Sequence, residues 1–276
     1  MKIVVIGEIL WDVFGSTEHL GGASFNFAAN ARRLGHEVIF ISGVGDDERG
    51  NRALARMEAL SLSTHYVRRV PGQPTGIVTV GFVSSQEPVY HLHRPAAYDF
   101  VELDQPNFAP DWIYFGTLHQ MAPRARSVTH ELIASNPSAR RFYDINLRPD
   151  SYTPELINYL MQLAHVVKLN EAEVREVERL FDWRSHSLED FCRSSVARFG
   201  WQAVCVTRGA AGCAVLIGDT YVAAPAYQVQ LADPVGAGDA FAAAFLDGLH
   251  KGHAPAEIAD SANRAGALAA SRSGAV

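Results

Sequence analysis

The sequence of 276 residues has little cysteine, no excess of positive charge and no long apolar run. Cys192, Cys205 and Cys213 show no CxxC spacing, so neither a disulfide framework nor a zinc site is indicated, and a reducing compartment fits best. The formal net charge of −6 gives no long-range attraction for nucleic acid or anionic lipid. An anionic ligand must therefore be held by local donors, which favours a small-molecule site.

A membrane span and a secretion signal are also missing from the sequence. No stretch approaches the ~20 apolar residues that a membrane helix needs. The first apolar run, residues 3–6, ends at Gly7 and Glu8 and is too short for the apolar part of a signal peptide. We therefore expect a cytoplasmic protein with neither a membrane nor a nucleic-acid partner.

Two common nucleotide-binding motifs are absent. The sequence has no GxxxxGK[ST] string, and no clean GxGxxG follows a predicted strand. A dehydrogenase would need a glycine-rich pyrophosphate motif after the first strand, where only Gly7 stands. Any phosphate-binding device in this chain must therefore be of another kind.

What the sequence does contain is an alternation of β-branched runs with segments of helical composition. This repeated order predicts a parallel sheet in an α/β domain, and residues 212–226 near the end read as a hairpin. The predicted strands of the main domain are residues 2–9, 37–45, 112–116, 140–146, 165–170 and 203–209, and the predicted helices are residues 27–35, 47–60, 123–134, 154–164, 239–250 and 255–271.

Residues 75–93 have a different texture. The runs GIVTVGFV and PVYHLHR roughly alternate between apolar and polar residues, and SSQE separates them. This pattern predicts a hairpin that leaves the main domain.

Polar residues follow the predicted strands of the main domain. The carboxyl ends of parallel strands share one edge of a sheet, and ligands of such sheets bind there. We therefore expect a site at this edge, formed by Gly7 with Glu8, Gly116 with Thr117, Asp144 with Asn146, Asn170 with Glu171, and Thr207 with Gly209.

The string DPVGAGDAF carries the strongest candidate chemistry. Gly236, Ala237 and Gly238 lead directly into a predicted helix whose first turn carries Asp239. The free N–H groups and partial positive charge of a helix start can hold a phosphate. A carboxylate beside that anion hole can take the proton from an attacking hydroxyl. In isolation, the string also fits an aspartate that only caps a helix.

Long motifs in both halves of the sequence resemble the ribokinase-like (PfkB) family of carbohydrate kinases. DPVGAGDAFAAAFL matches the C-terminal signature of that family. GGASFNFAANARRLG, followed by HEVIFISGVG, matches the N-terminal signature, except that Ser24 stands where the family usually has Gly, Ala or Pro. Shorter matches between them are VGDDERG, PTG, DINLR, KLNEAE and TRGAAG. The resemblance covers nearly the whole chain, and it favours a functional Asp239 over a simple cap.

The resemblance implies one α/β domain over residues 1–276. Its expected fold is a three-layer sandwich with a mostly parallel central sheet and a small β lid from about residues 9–20 and 75–98. Such a lid would exclude water during phosphoryl transfer. Asp239 is then the expected catalytic base, and the amides of residues 236–238 are the expected anion hole.

By the same resemblance, Asp12, Gly22 and Asn26 should hold sugar hydroxyls, with Arg94 contacting the sugar from the lid. A carboxylate and a carboxamide together can accept from and donate to adjacent hydroxyls. Two alternatives stay open at this point. Asp12 also fits a solvated turn residue after a strand, and Asn26 also fits the N-cap of the following helix.

ATP and magnesium are the cofactors that the resemblance implies. Asn170 and Glu173 match an NxxE motif that positions magnesium, here through water because this ion usually keeps several waters, although both also fit ordinary helix-start residues. Lys168 would reach the triphosphate, unless it is an exposed lysine at a strand end. The residues expected to line the nucleotide are Thr207, Gly209, Asn263 and Ala267, although an alanine-rich helix is also typical of a core.

Three further questions are activation by potassium, the role of two lid histidines and the oligomeric state. Pro234 stands where the family frequently has Thr, and the chain stops at SRSGAV, so activation by potassium is left open. His91 and His93 alternate on a predicted strand and read as surface residues rather than metal ligands. An exposed lid sheet favours a homodimer.

The expected reaction is transfer of the ATP γ-phosphoryl group to a primary hydroxyl of a sugar. GEILWDVF, GGASFNFAANARRLGHEV and AYDF most resemble bacterial fructokinases, so fructose is the expected substrate. Ribose, 2-keto-3-deoxygluconate, tagatose 6-phosphate and nucleosides are alternative substrates. A sugar- or nucleotide-binding protein of the same fold without turnover is the alternative of a different class.

Overall fold

Alternating strands and helices make up most of the computed structural model, which describes residues 1–84, 87–272, 274 and 276. The predicted SSQE turn and the SRSGAV stretch lie partly outside the described residues. The strands are β1 (Lys2–Ile6), β2 (Leu10–Phe14), β3 (Thr17–Gly21), β4 (Glu37–Gly45), β5 (Val67–Val70), β6 (Gly76–Ser84), β7 (Glu87–His93), β8 (Trp112–Gly116), β9 (Arg140–Asp144), β10 (Val166–Asn170), β11 (Ala203–Thr207), β12 (Cys213–Ile217) and β13 (Thr220–Ala224). The helices are α1 (Ala23–Arg33), α2 (Glu48–Ala59), α3 (Thr117–Gln120), α4 (Pro123–Ser135), α5 (Pro154–Leu163), α6 (Glu171–Leu180), α7 (Leu188–Phe199), α8 (Ala237–Lys251) and α9 (Pro255–Ala270).

The central sheet contains nine strands in the order β13-β12-β11-β10-β9-β8-β1-β4-β5. β12 pairs antiparallel with both β11 and β13, and the other neighbouring strands are parallel. Every strand predicted for the main domain is present, and so is the hairpin predicted at residues 212–226. The prediction of a mostly parallel sheet is confirmed.

Alternation along each strand divides the apolar side chains between two layers of helices. In β1, Ile3 and Val5 pack on the side that carries α1, α2, α8 and α9, whereas Val4 and Ile6 pack on the side that carries α4 to α7. All four side chains are fully buried, because helices cover both faces of the sheet. The predicted three-layer arrangement is therefore confirmed.

A second sheet has the strand order β3-β2-β6-β7. Its outer pairs are antiparallel and its central pair, β2 with β6, is parallel. The β6–β7 pair confirms the hairpin predicted at residues 75–93. Val78 pairs with both Asp12 and Leu92, so the register places His91 and His93 on the opposite face from Asp12.

The helices differ from the prediction in two respects. α1 begins at Ala23 with Gly22 as its N-cap, so Asn26 lies inside the helix and the N-cap alternative for Asn26 is wrong. The short α3 and the charged helices α6 and α7 were not predicted, because few of their residues form an apolar face: α6 buries only Val174 and Val177 among its apolar residues. Among the described residues, no helix combines the length and apolar character needed to cross a lipid bilayer.

Candidate active site

The GAGD turn starts α8, as the sequence predicted. Gly236 has a φ of 81°, a left-handed conformation that favours glycine. Ala237 N–H donates to Pro234 O at 3.3 Å, and Asp239 N–H donates to Gly236 O at 3.1 Å. The N–H groups of Gly236 and Gly238 have no acceptor among the described residues, and no side chain caps the helix. These two amides are therefore available to an anion.

Asp239 lies at the start of α8, against the first turn of α1. Asn26 Nδ2 donates a hydrogen bond to Asp239 Oδ2 at 2.8 Å. Burial raises the pKa of Asp239 to about 7, and the nearby Asp144 adds to that rise, while Lys168 and Asn26 oppose it. Asp239 is half-buried as a residue, and a carboxyl group with this pKa can exchange a proton near neutral pH.

A buried ion pair lies next to the GAGD turn. Lys168 Nζ donates to both carboxylate oxygens of Asp144 at 2.9 Å, and Tyr114 OH donates to Asp144 Oδ2 at 3.2 Å. A Cβ atom placed on Gly238 would lie 3.6 Å from Lys168 Nζ, so the ammonium group lies close to the turn. Lys168 is only 6% exposed, which excludes the alternative of an exposed lysine. Burial by itself lowers the pKa of Lys168, but Asp144 and Glu173 outweigh burial and keep the lysine charged.

The residues predicted to hold the sugar meet at the end of β1. Asp12 lies against the turn at Gly21 and Gly22, since a Cβ atom on Gly21 would be 2.6 Å from Asp12 Oδ2. Burial raises the pKa of Asp12 to about 6. Gly22 has a φ of 102°, and a Cβ atom there would be 2.8 Å from Glu8 O. Of the residues predicted to hold the sugar, Asn26 contacts Asp239 directly, and Asp12 lies against the Gly21–Gly22 turn that precedes α1.

Arg148 lies close enough to these carboxyl groups to affect their pKa values, although only its motif, DINLR, was noted in the sequence. Its guanidinium group is exposed and donates to its neighbouring Leu147 O at 3.2 Å. The positive charge of Arg148 lowers the pKa values of Glu8, Asp12 and Asp239, after burial has raised each of them. Arg148 is therefore a cation that acts on both the predicted sugar-binding carboxylate and the predicted base, although Lys168 acts more strongly on the base.

Arg94 lies beyond the end of β7 and has partners inside the protein. Its Nε and Nη2 atoms donate to the carboxylate of Asp99, and its Nη1 atom donates to Leu118 O at 3.0 Å. These contacts hold the guanidinium group beside α3. The contact between Arg94 and the sugar stays a prediction.

Asn170 and Glu173 form a reciprocal capping box at the start of α6. Glu173 N–H donates to Asn170 Oδ1 at 2.9 Å, and Asn170 N–H donates to Glu173 Oε2 at 2.8 Å. Glu173 Oε1 accepts from Leu147 N–H at 3.0 Å, so both carboxylate oxygens already accept a hydrogen bond. The described residues contain no group of three or more His, Cys, Asp or Glu side chains placed to hold a metal ion. The role of both residues near magnesium stays a prediction.

The residues predicted for the nucleotide lie where β11, α9 and the segment after β13 approach one another. Thr207 Oγ1 donates to Leu169 O at 3.4 Å, and Gly209 has a φ of 54°. Asn263 is buried, and its Nδ2 donates to Ala224 O and Pro225 O, so its amide ties α9 to the end of β13. Ala267 is half-buried. Val229 and Leu231, in the segment after β13, and Leu268, next to Ala267 in α9, are large apolar side chains that are exposed. The sequence reading did not name these three.

The turn before Gly236 contacts the end of α9. Asp233 Oδ1 accepts from Val235 N–H at 2.9 Å, and Asp233 Oδ2 accepts from Gly274 N–H at 3.2 Å. Pro234 is exposed between them. These contacts do not test activation by potassium, which stays open as it was from the sequence.

Known proteins resemble the chain over nearly its whole length. The sequence model described as pfkB family carbohydrate kinase matches residues 3–276. A putative sugar kinase of Pyrococcus horikoshii is 29% identical over 271 residues, covering 90% of this chain and 83% of that protein. Its crystal structure in complex with ATP has a TM-score of 0.84 and covers 100% of this chain and 94% of the other.

Two further relatives differ from each other in substrate. A fructokinase of Salmonella typhimurium is 28% identical and covers 93% of this chain and 87% of its own length. An aminoimidazole riboside kinase of the same species is 26% identical and covers 100% of this chain and 91% of its own length. The predicted fold and the predicted enzyme class, a carbohydrate kinase, are confirmed by these similarities. The chain belongs to the pfkB family of carbohydrate kinases.

Proposed function

We propose that this kinase transfers the γ-phosphoryl group of ATP to a primary hydroxyl of a sugar, and that fructose is its preferred acceptor. The observation that carries the proposal is Asp239, a carboxyl group with a pKa of about 7 at the open start of α8. Its position unites a proton acceptor with free backbone N–H groups, which is what phosphoryl transfer to a hydroxyl requires.

In the proposed mechanism, Asp12 and Asn26 orient the sugar so that one hydroxyl points at Asp239. Asp239 accepts the proton of that hydroxyl, the hydroxyl oxygen forms a bond to the γ-phosphorus, and the bond between that phosphorus and the ADP oxygen breaks. The amides of Gly236 and Gly238 stabilise the negative charge on the transferring group. Lys168 adds a positive charge beside the same turn.

When bound together with ATP, magnesium would neutralise part of the negative charge of the phosphates. Asn170 and Glu173 fit an outer contact with this ion, because their oxygens keep lone pairs but already accept backbone hydrogen bonds. Thr207, Gly209 and Ala267 would line the nucleotide, with the exposed Leu268 beside Ala267 offering apolar area to a purine. Asn263 would support this wall from behind, since its donors are already used.

Support for fructose comes from the fructokinase of S. typhimurium and from the GEILWDVF, GGASFNFAANARRLGHEV and AYDF segments. The aminoimidazole riboside kinase at 26% identity keeps a nucleoside-like acceptor as the second candidate. A binding protein without turnover is disfavoured, because a carboxylate and open amides are retained together at the GAGD turn.

The proposed substrate is tested by an ADP-release assay with a panel of acceptors. The panel contains fructose, ribose, 2-keto-3-deoxygluconate, tagatose 6-phosphate and aminoimidazole riboside, each with saturating ATP and magnesium. We expect the highest kcat/KM for fructose. Turnover of another acceptor without fructose would refute the fructose assignment but keep the kinase, and ADP release that no acceptor stimulates would refute sugar phosphorylation.

The pH dependence of kcat/KM for the sugar should report Asp239. The carboxylate is the active form, and its pKa is raised to about 7, so activity should rise with pH through about 7 and level off above it. Asp12, with a pKa of about 6, should also have to be ionised to bind sugar. The slope of log kcat/KM against pH should therefore be about one just below pH 7 and approach about two below pH 6.

This profile is measured under constant ionic strength from about pH 5.5 to about pH 9, with ATP affinity measured in parallel as the control. ATP affinity should change little over the acid part of that range. A kcat/KM that stays flat down to about pH 5.5 would contradict the assignment of Asp239 as the base.

We also propose the lid, homodimer and cytoplasmic location expected from the sequence. Glu18 of β3 forms ion pairs with Arg49 and Arg52 of α2, so the second sheet is anchored on the main domain next to Asp12. β3 and β7 are the outer strands of that sheet and offer edges to a second copy. The three cysteines are free and buried, as in a reducing compartment. Light scattering that finds only monomer, or recovery in a membrane or secreted fraction, would contradict these proposals.

A further inference from the structure

The start of α1 is capped from outside the helix. Its N-cap residue, Gly22, has no side chain to accept a hydrogen bond. The carboxylate of Glu8, which follows β1, accepts instead from Ser24 N–H at 3.3 Å and from Ser24 Oγ–H at 3.2 Å. Glu8 is 3% exposed and Ser24 is 1% exposed. A buried acidic group at a helix start satisfies orphan donors and interacts favourably with the helix dipole.

Glycines let the two chain segments approach closely enough for this cap. A Cβ atom on Gly7 would lie 1.9 Å from Ser24 Oγ, and a Cβ atom on Gly22 would lie 2.8 Å from Glu8 O. Neither position has room for a larger residue. The chain at Gly7 and Glu8 is therefore packed directly against the first turn of α1.

That first turn carries Asn26, whose Nδ2 atom donates to Asp239 Oδ2 at 2.8 Å. Asn26 Oδ1 is buried and has no hydrogen-bond partner among the described residues. The Asn26 side chain is therefore held against Asp239 by one hydrogen bond and by the position of its helix. Any shift of the first turn of α1 would lengthen that bond.

We propose that Glu8 is a positioning residue for phosphoryl transfer: through Ser24 it fixes the first turn of α1, and so it holds Asn26 against Asp239. The proposal rests on the proposed function of Asp239 as the base. Ser24 is the residue that departs from the family pattern of Gly, Ala or Pro, and its hydroxyl gives this chain a second donor to Glu8.

The test uses the acid limb, which is the rise of kcat/KM with pH below about 7. A displaced first turn of α1 and a simple loss of charge at Glu8 shift this limb in different directions. The groups that face Asp239 are Asp144 of β9, Lys168 of β10, Asn26 of α1 and Arg148. The hydrogen bond from Asn26 favours the ionised carboxylate, so its weakening shifts the acid limb of kcat/KM to higher pH. Loss of any charge at Glu8 without movement of α1 would shift that limb to lower pH or leave it in place.

The test compares Glu8→Gln, Ser24→Ala, Asn26→Ala and the double variant Glu8→Gln with Asn26→Ala. We expect Glu8→Gln to lower kcat about tenfold, to raise the pH of the acid limb and to leave the KM for ATP within about twofold. Ser24→Ala should shift the limb in the same direction by less. Glu8→Gln should shift the limb no further once Asn26 has been replaced.

A matched control removes a different helix cap. Thr153 caps α5 by accepting from Leu156 N–H at 3.2 Å, and α5 carries no residue of the proposed site. Thr153→Ala should lower stability without moving the acid limb. In hydrogen–deuterium exchange, Glu8→Gln should speed exchange in residues 22–28 about tenfold, whereas Thr153→Ala should not.

The outcomes separate the two proposals. If the wild-type protein phosphorylates no acceptor, the proposed function fails first, and the exchange data alone decide whether Glu8 holds α1. If the wild-type protein is active but Glu8→Gln leaves the acid limb at the same pH or shifts it to lower pH, the positioning role is refuted. The role is also refuted if Thr153→Ala reproduces the shift, since the effect would then reflect general loss of stability.

Discussion

Replacement of Asp239 by Asn is expected to lower kcat for sugar phosphorylation by about 10²- to 10⁴-fold, the usual contribution of a general base. Asn has nearly the same shape, and its carbonyl oxygen can still accept the hydrogen bond from Asn26 Nδ2. It cannot take a proton from the sugar hydroxyl. The variant should also lose the acid limb near pH 7, because the group that titrates there is gone.

The control for this variant removes another carboxylate from α8. Asp247 lies two turns further along the helix and contacts His36 and Lys251 rather than the site. Asp247→Asn should keep kcat within about twofold, and Asp239→Asn should keep ATP affinity within about twofold. A kcat for Asp239→Asn within about tenfold of wild type would refute the role of Asp239 as the base.

The parts of the fold that depend on local patterns could be predicted from the sequence. Apolar residues on both faces of β1 indicated a strand buried between two helical layers, and Ile3 and Val4 indeed pack on opposite faces. The glycines of the GAGD turn and the aspartate after them indicated an anion-binding helix start. The alternative that Asn170 and Glu173 are helix-start residues could also be read from the sequence, and the structure shows them as a capping box.

The contacts between distant segments could not be predicted in the same way. Asn26 and Asp239 lie 213 residues apart, and their hydrogen bond exists only because α1 and α8 pack on the same face of the sheet. Asp144 and Lys168 meet because the register of β9 and β10 pairs them directly. A slip of one residue would send the two side chains to opposite faces, and nothing in the sequence of either strand specifies that register.

Replacement of Lys168 by Met is expected to have the largest effect on stability. Asp144 is fully buried, and the variant would leave its charge without a cation. Removal of one partner of a buried ion pair typically costs about 3–5 kcal/mol, which for a chain of 276 residues corresponds to a fall in Tm of roughly 5–9 °C. Activity should fall as well, since the positive charge next to the GAGD turn is lost. Calorimetry and the ADP-release assay measure the two effects.

The reciprocal variant, Asp144→Asn, should be destabilised for the same reason, but its pH profile should move the other way. Asp144 raises the pKa of Asp239, and Lys168 lowers it. Lys168→Met should therefore shift the acid limb of kcat/KM to higher pH, and Asp144→Asn should shift it to lower pH. Shifts in the same direction would contradict the arrangement of charges around the base.

The double variant, Asp144→Asn with Lys168→Met, separates stability from catalysis. It contains no uncompensated buried charge, and a neutral pair of similar volume is often as stable as the ion pair that it replaces. Its Tm should therefore exceed that of either single variant. Its kcat should stay as low as that of Lys168→Met, because the ammonium group near Gly238 is still absent. Recovery of kcat together with Tm would mean that Lys168 only supports the fold, whereas recovery of Tm alone would assign its charge to phosphoryl transfer.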